Sequence, residues 1–168
     1  MKQNNKQLQD QLNDAKLQGQ DKYLIFTLDG DEYGVEILKV REIVNYVEPN
    51  AVPQTPDYVK GVIKLRDEVI PVMDIRARFD MEAVEADEHS CIIIVELVQN
   101  DRGSVAGIIV DRVSEVLDIA NEDIEQAEQL GSVVNIDFIL GINKTNGSVR
   151  ILLDMDKVFV DTDIGELK

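Results

Sequence analysis

The sequence predicts a mainly β protein, a barrel or a sandwich, built from two copies of one small module. Two observations predict this class. Short apolar segments separated by regular turn signals run through most of the 168 residues. Two blocks of sequence also recur in the same order in both halves of the chain. The composition agrees, because 44% hydrophobic and 30% charged residues are ordinary values for a chain that forms a core.

Four predicted hairpins account for most of the strands. Each consists of two apolar, β-branched segments on either side of a turn: 23–28 with 32–37, 62–65 with 69–72, 91–98 with 104–110, and 138–143 with 149–153. Asp29-Gly30 and Asn146-Gly147 are the dipeptides that two-residue hairpin turns favour. The alternation of strands and tight turns therefore indicates antiparallel sheets.

Helices are predicted to be few and short. Four segments have a pattern compatible with one to three helical turns: 38–44, 75–79, 121–130 and 154–159. Asn121 and Asp154 are suitable N-caps, because their side-chain oxygens accept hydrogen bonds from free backbone N–H groups.

An internal repeat divides the chain. Residues 34–43 (GVEILKVREI) match residues 107–116 (GIIVDRVSEV), and residues 61–79 match residues 141–159 with the same glycine, aspartate and phenylalanine positions. Modules of this size are marginally stable alone, so we expect the two to share a core. We predict a first β-barrel subdomain at 21–88 and a second at 89–168.

The first twenty residues differ from the rest. Residues 1–20 are polar, and Leu8, Leu12 and Ala15 are apolar positions at helical spacing. A short helix that docks on a partner is conceivable. We expect a solvated, disordered tail instead, because so few apolar groups do not offset the entropy lost on ordering.

Charge and residue counts exclude several classes of protein. The net charge of −16 repels phosphate backbones, which argues against nucleic-acid binding, and no apolar stretch approaches the length of a membrane span. A single cysteine excludes an intramolecular disulfide, and a single histidine excludes a multi-histidine metal site. We therefore expect a cytoplasmic protein without a metal or another cofactor.

Catalytic candidates are sparse, although a small acidic hydrolase on a barrel fold remains the alternative function. His89 has a pKa suited to a general base, but it lies in an acidic linker typical of a solvated loop. Cys91 begins an apolar strand, where a free cysteine usually behaves as a small buried hydrophobe. The sequence assigns no catalytic residue.

Five blocks carry a resemblance to a known family: residues 23–43, 55–66 (TPDYVKGVIKLR), 69–79 (VIPVMDIRARF), 107–117 (GIIVDRVSEVL) and 138–141 (FILG). In this order they resemble the CheW family of chemotaxis coupling proteins. The resemblance implies two interlocked, five-stranded, SH3-like barrels with a few short helices. It also implies a non-catalytic adaptor that joins the cytoplasmic tips of chemoreceptors to the regulatory domain of the histidine kinase CheA.

The same resemblance suggests the residues that bind these partners: Val40, Glu42, Gly61, Leu65 and Arg66. An arginine and a glutamate suit a bidentate pair that presents a rigid patch, although a routine surface salt bridge explains them as well. Val40 is equally compatible with the core, and Gly61 with a backbone requirement.

Two residues beside this patch depart from the usual family pattern. Lys64 adds a charge that the family usually lacks, and Asp67 replaces a glycine. Aspartate adopts positive φ less freely than glycine does, so the residues leave the shape of the turn at Asp67 open. Because Arg66 keeps its place, we interpret both departures as variation within the family.

Overall fold

The structure is a computed structural model that describes residues 5–18, 21–99, 102–126, 136–145 and 147–159. Eleven strands occur in this part of the chain: β1 Lys22–Leu28, β2 Asp31–Glu36, β3 Val40–Asn45, β4 Val59–Leu65, β5 Glu68–Asp74, β6 Cys91–Gln99, β7 Arg102–Val110, β8 Arg112–Asp118, β9 Ile124–Glu125, β10 Ile139–Thr145 and β11 Ser148–Leu153. Three α-helices accompany them: α1 Asn5–Gln18, α2 Ile75–Arg78 and α3 Met155–Val158. The predicted mainly β fold class is confirmed.

The strands form two sheets. The six-stranded sheet has the order β8-β1-β2-β11-β10-β9, and the five-stranded sheet has the order β3-β6-β7-β5-β4. Both sheets are antiparallel except for one pair each, β2 with β11 and β5 with β7. The four predicted hairpins are all present, as β1–β2, β4–β5, β6–β7 and β10–β11.

Each half of the chain contributes strands to both sheets. β1 and β2 pair with β8 and β11 from the second half, whereas β3, β4 and β5 join β6 and β7 in the five-stranded sheet. The expected boundary between 21–88 and 89–168 therefore does not separate the two sheets. The chain instead changes sheet between β2 and β3 and again between β7 and β8, which interlocks the two copies of the repeat.

The repeat is also visible in the irregularities of the strands. An extra residue bulges from β3 at Arg41 and from β8 at Ser114, which are equivalent positions of the repeat. Lys60 in β4 and Leu140 in β10 form a second equivalent pair of bulges. Bulges re-aim the side chains that follow them, so the two copies of the repeat interrupt strand alternation at equivalent places.

One of the segments predicted as a helix is mostly a strand. Only Ile37–Lys39 forms a 3₁₀ turn, and residues 40–45 form β3, so the prediction of a helix at 38–44 is wrong. The cause is the bulge at Arg41, because it lets Val40 and Ile43 face the same core although they are three residues apart. That spacing imitates one face of a helix.

The other short helices agree better with the sequence. α2 lies within the predicted segment 75–79 and α3 within 154–159, and the Asp74 and Asp154 side chains accept hydrogen bonds at their N-termini. The segment 121–130 instead begins as a 3₁₀ turn at Asn121–Asp123 and continues as β9. Its residues 127–130 lie outside the described part of the chain.

The largest hydrophobic cluster lies between the two sheets. It contains Phe26 and Tyr33 from the six-stranded sheet, Ile93 and Ile108 from the five-stranded sheet, and Phe159 after α3, all at most 1% exposed. Two smaller clusters belong to one sheet each. The two subdomains therefore share their main core, as the marginal size of one module suggests.

The N-terminal segment is folded, which corrects the expectation of a disordered tail at 1–20. Residues 5–18 form α1, and Leu8, Leu12 and Ala15 are 2%, 0% and 4% exposed. All three belong to the cluster between the sheets. Burial against that core supplies the free energy that the segment lacks by itself.

Candidate functional site

The hairpin between β4 and β5 presents the predicted Arg66. Arg66 and Asp67 form a two-residue turn in which φ is +47° and +68°, so both adopt the left-handed conformation of a type I′ turn. Its twist matches that of the flanking strands, and Leu65 pairs with Glu68 to close it. The turn is therefore rigid although neither central residue is glycine.

Arg66 and Glu42 form the bidentate pair that the sequence predicts. The guanidinium Nη1 and Nη2 donate to Oε1 and Oε2 of Glu42 at 2.7 and 2.6 Å. The side chain of Arg66 is 72% exposed and that of Glu42 only 14%. The hydrogen bonds to Glu42 raise the pKa of the Arg66 guanidinium, which stays charged at any physiological pH.

This pair connects the two end strands of the five-stranded sheet. Glu42 lies on β3 and Arg66 follows β4, which stand at opposite ends of the strand order. A second ion pair joins Arg41 on β3 to Glu68 on β5, with 3.0 Å between nitrogen and oxygen. The sheet must therefore curl until its ends meet, which makes it a barrel around its own small core.

The Arg41–Glu68 pair escaped the sequence interpretation. Both residues flank the predicted pair and carry opposite charges, which is the signal that was available. We define the Arg66 surface as Arg41, Glu42, Leu65, Arg66 and Glu68. Four alternating charges on two rigid elements give it a fixed electrostatic pattern.

Two of the predicted partner-binding residues lie inside the protein. Val40 is 0% exposed and belongs to the core between the sheets, so a partner cannot contact it in this conformation. Gly61 is buried, with φ of +143°, and an added Cβ would lie 1.9 Å from the carbonyl oxygen of Asn50. Both are framework residues, because one fills the core and the other permits a close approach of the backbone.

Apolar groups adjoin the Arg66 surface. Leu65 is half-buried and packs against the core of the barrel. A cleft of about 510 Å³ lies beside Arg41, and its lining includes Leu38 and Val98, which are 55% and 59% exposed. Exposed apolar side chains beside fixed charges are characteristic of a protein–protein contact region.

The residues considered for catalysis are placed apart from this surface. His89 lies in the linker before β6, where its Nε2 is 3.6 Å from a carboxylate oxygen of Glu88. Cys91 is buried, and its Sγ contacts the carbonyl oxygen of His89 at 3.5 Å. Among the residues the structure describes, no three potential metal-ligating side chains of His, Cys, Asp or Glu come together.

None of the helices in the described part of the chain is both long and apolar enough to span a membrane.

Comparisons with known proteins agree on one family. A family model described as "CheW-like domain" matches residues 22–163. The "Chemotaxis protein CheW" of Klebsiella aerogenes is 35% identical over 147 residues, which cover 86% of each chain. That of Treponema pallidum is 29% identical over 142 residues, which cover 84% of each chain.

A solved structure extends the comparison to the fold. The scaffolding protein TtCheW from Thermoanaerobacter tengcongensis superposes with a TM-score of 0.74 at 34% sequence identity, covering 83% of this chain and 92% of that one. The family match, the relatives and the shared architecture of two β subdomains lead to one conclusion: this chain belongs to the CheW family.

Proposed function

We propose that this chain is a non-catalytic adaptor of bacterial chemotaxis that couples the cytoplasmic tips of chemoreceptors to the histidine kinase CheA. Membership of the CheW family supports the proposal, as do relatives named chemotaxis proteins and a solved neighbour described as a scaffolding protein. Such an adaptor works in the cytoplasm, where membrane-associated receptor arrays recruit it, and it needs no cofactor.

The observation that carries the proposal is the geometry of the Arg66 surface. A bidentate arginine–glutamate pair on a rigid turn presents a fixed pattern of charge, and the exposed arginine retains free hydrogen-bonding capacity beside half-buried Leu65. This arrangement suits recognition of a protein partner by charge and shape. Glu42, Leu65 and Arg66 are the predicted residues that remain available for it.

The hydrolase alternative is not retained as a second candidate. His89 lies beside Glu88 in a linker and Cys91 is buried, so neither observation favours a nucleophile with an activating base. The negative surface of the chain continues to argue against a nucleic-acid partner.

A charge-swap experiment separates recognition from framework at this surface. Arg66→Glu places two carboxylates together and should abolish receptor-stimulated CheA activity, while the folded state persists because the arginine is solvent-exposed. The double variant Glu42→Arg with Arg66→Glu restores attraction but reverses the presented charges. We expect it to recover the melting temperature without recovering receptor binding.

Lys144→Glu is the matched control, because it reverses a charge on the equivalent hairpin of the other sheet. It should retain receptor binding. The proposed role of the Arg66 surface is wrong if the double variant recovers full kinase stimulation, because a purely structural salt bridge tolerates exchange of its partners.

A further inference from the structure

The repeat gives the chain two equivalent hairpins and two equivalent strands that receive them. Hairpins β4–β5 and β10–β11 correspond in the repeat, and so do strands β2 and β7. β5 pairs in parallel with β7, and β11 pairs in parallel with β2. Both pairings use the same register, because Leu152 lies opposite Gly34 and its equivalent Val72 lies opposite Gly107. The backbone pairing therefore does not distinguish one hairpin from the other.

The connections fix the receiving strands more tightly than the hairpins. β2 continues to β3 through Ile37–Lys39, and β7 continues to β8 through Asp111 alone. Hairpin β4–β5, in contrast, is joined to the chain through residues 46–58 and 75–90, and residues 126–138 precede hairpin β10–β11. An extended chain of this length spans about 40 Å, several times the roughly 10 Å between packed sheets. Exchange of the two hairpins is therefore an alternative that side chains have to exclude.

A line of polar side chains crosses the six-stranded sheet where hairpin β10–β11 meets β2. Arg150 lies opposite Glu32, and its Nε is 3.5 Å from Glu32 Oε1. Arg150 also lies opposite Asn143, whose Oδ1 accepts a hydrogen bond of 3.1 Å from Arg150 Nη1. The side chain of Arg150 is 14% exposed, and Asn143 is 2% exposed. We call Glu32, Asn143 and Arg150 the polar trio.

The equivalent positions in the five-stranded sheet are apolar. They hold, in the same order, Val105, Ile63 and Ile70, which we call the apolar trio. All three residues belong to or pack against the small hydrophobic cluster of that sheet, where Ile63 and Ile70 are 5% and 1% exposed. The two copies of the repeat therefore differ in polarity at the place where each hairpin meets its receiving strand.

Exchange of the hairpins would mix the two trios. Arg150 would lie opposite Val105, and Glu32 would lie opposite Ile70, so each charged side chain would lose its counter-ion. Breaking a buried ion pair by removing one partner is strongly unfavourable, whereas replacing both partners by apolar residues is often neutral. The Glu32–Arg150 pair therefore adds little to the stability of the observed pairing and mainly disfavours the exchanged one.

We infer that the polar trio specifies the placement of the hairpins: it makes β11 rather than β5 the partner of β2 and excludes β10–β11 from β7. The role is distinct from that of an adaptor surface, but the Arg66 surface depends on it. Arg66 meets Glu42 only when hairpin β4–β5 joins the sheet that contains β3. A chain with exchanged hairpins would not form that pair.

Cysteine pairs introduced into the full chain with Cys91→Ser report the placement. Asp31→Cys on β2 with Val149→Cys on β11 reports the observed pairing, one residue before the Glu32–Arg150 pair. Asp31→Cys with Val69→Cys on β5 reports the exchanged pairing. Val69 and Val149 are matched positions of the repeat and are 44% and 47% exposed. With the polar trio intact, oxidised glutathione should form the first disulfide, and the second pair should give only the background of random collisions.

Replacing the polar trio by the apolar one tests the inference. The triple variant Glu32→Val, Asn143→Ile and Arg150→Ile should keep a melting temperature close to that of the wild type, because apolar residues replace the whole polar group. Its exchanged disulfide should rise about tenfold above the background, because no buried charge disfavours that pairing. A folded triple variant that forms only the disulfide of the observed pairing overturns the inference.

Two further variants separate charge from packing. Glu32→Arg with Arg150→Glu keeps opposite charges in place and should form only the disulfide of the observed pairing. A rise of its exchanged disulfide overturns the inference, because complementary charges would then not select the partner. Glu32→Gln with Arg150→Met removes both charges at nearly constant volume and decides the question if the triple variant does not fold. It should gain the exchanged disulfide, and background levels in the folded protein overturn the inference.

Discussion

The two halves of the molecule use the same position for opposite charges. In the first half, Arg76 of α2 donates to Asp111, which lies where the chain crosses from β7 to β8. In the second half, the equivalent residue of α3 is Asp156, which accepts from Lys39 where the chain crosses from β2 to β3. Each pair therefore ties a short helix to a crossover between the sheets.

The pairs differ in how far they are removed from water. Arg76 is 8% exposed, makes a fork to both oxygens of Asp111 at 2.9 and 2.5 Å, and also donates to the Glu82 carbonyl. Lys39 is 26% exposed and makes a single contact of 2.7 Å. The repeat thus places an ion pair between a short helix and a crossover in both halves. The burial and the number of hydrogen bonds of that ion pair differ between the two copies.

The largest expected effect comes from separating the halves. The fragment 21–88 contains a whole copy of the repeat but incomplete versions of both sheets, so we expect it to be unfolded or aggregated. The fragment 40–110 contains every strand of the five-stranded sheet and should show more strand signal by circular dichroism. A well-dispersed NMR spectrum from 21–88 would contradict the shared core.

Replacing Asp111 or Asp156 by alanine compares the contributions of the two ion pairs to stability. Asp111→Ala removes the bidentate counter-ion of the buried Arg76 guanidinium and leaves only the exposed Asp29 carboxylate within ion-pair distance, at 3.9 Å. It should cost about 3 kcal/mol in the free energy of unfolding. Asp156→Ala removes a more exposed pair, together with a hydrogen bond from the Val98 N–H, and should cost about 1 kcal/mol. Urea denaturation measures both, and equal losses would refute the difference in strength.

Acid should weaken the Arg76–Asp111 ion pair. Burial by itself raises the pKa of Asp111, but hydrogen bonds from Arg76 and from the Asp29 N–H outweigh it and bring that pKa below its ordinary value. A lowered folded-state pKa gives stability that is present above about pH 4 and lost as the pH falls through the folded-state pKa. The difference in unfolding free energy between wild type and Asp111→Ala should therefore shrink from pH 6 towards about pH 3. A constant difference would show that Asp111 does not titrate with folding.

The sequence was informative about the fold where local patterns decide the structure. Paired apolar, β-branched segments were sufficient to predict the four hairpins, two of which also carry a turn dipeptide, and the repeat indicated two modules. Pairing between distant strands has no local signature, so local patterns did not indicate which strands the halves exchange. Only the family resemblance implied that the two barrels interlock. The bulge at Arg41 hid β3, because it placed Val40 and Ile43 at a helical spacing.

The sequence predicted the charged pair of the candidate site, but it did not predict which of the site residues are buried. The resemblance indicated Glu42 and Arg66, and the structure joins them. Val40 sits in the same segment but faces inward, a distinction that depends on the bulge rather than on residue type. The order of α1 was not predicted for a related reason, since its stability comes from packing against β3 and β8, which are far away in sequence.

The parallel pairing of β2 with β11 delays completion of the six-stranded sheet until late in synthesis. Glu32 emerges from the ribosome early, yet its partner Arg150 belongs to one of the last strands to be made. At about 5–20 residues per second, the first hairpin waits on the order of ten seconds for its neighbours. The five-stranded sheet is completed meanwhile, from strands that follow one another in the chain. We therefore expect the five-stranded sheet to be able to form during synthesis, whereas the six-stranded sheet waits for β10 and β11.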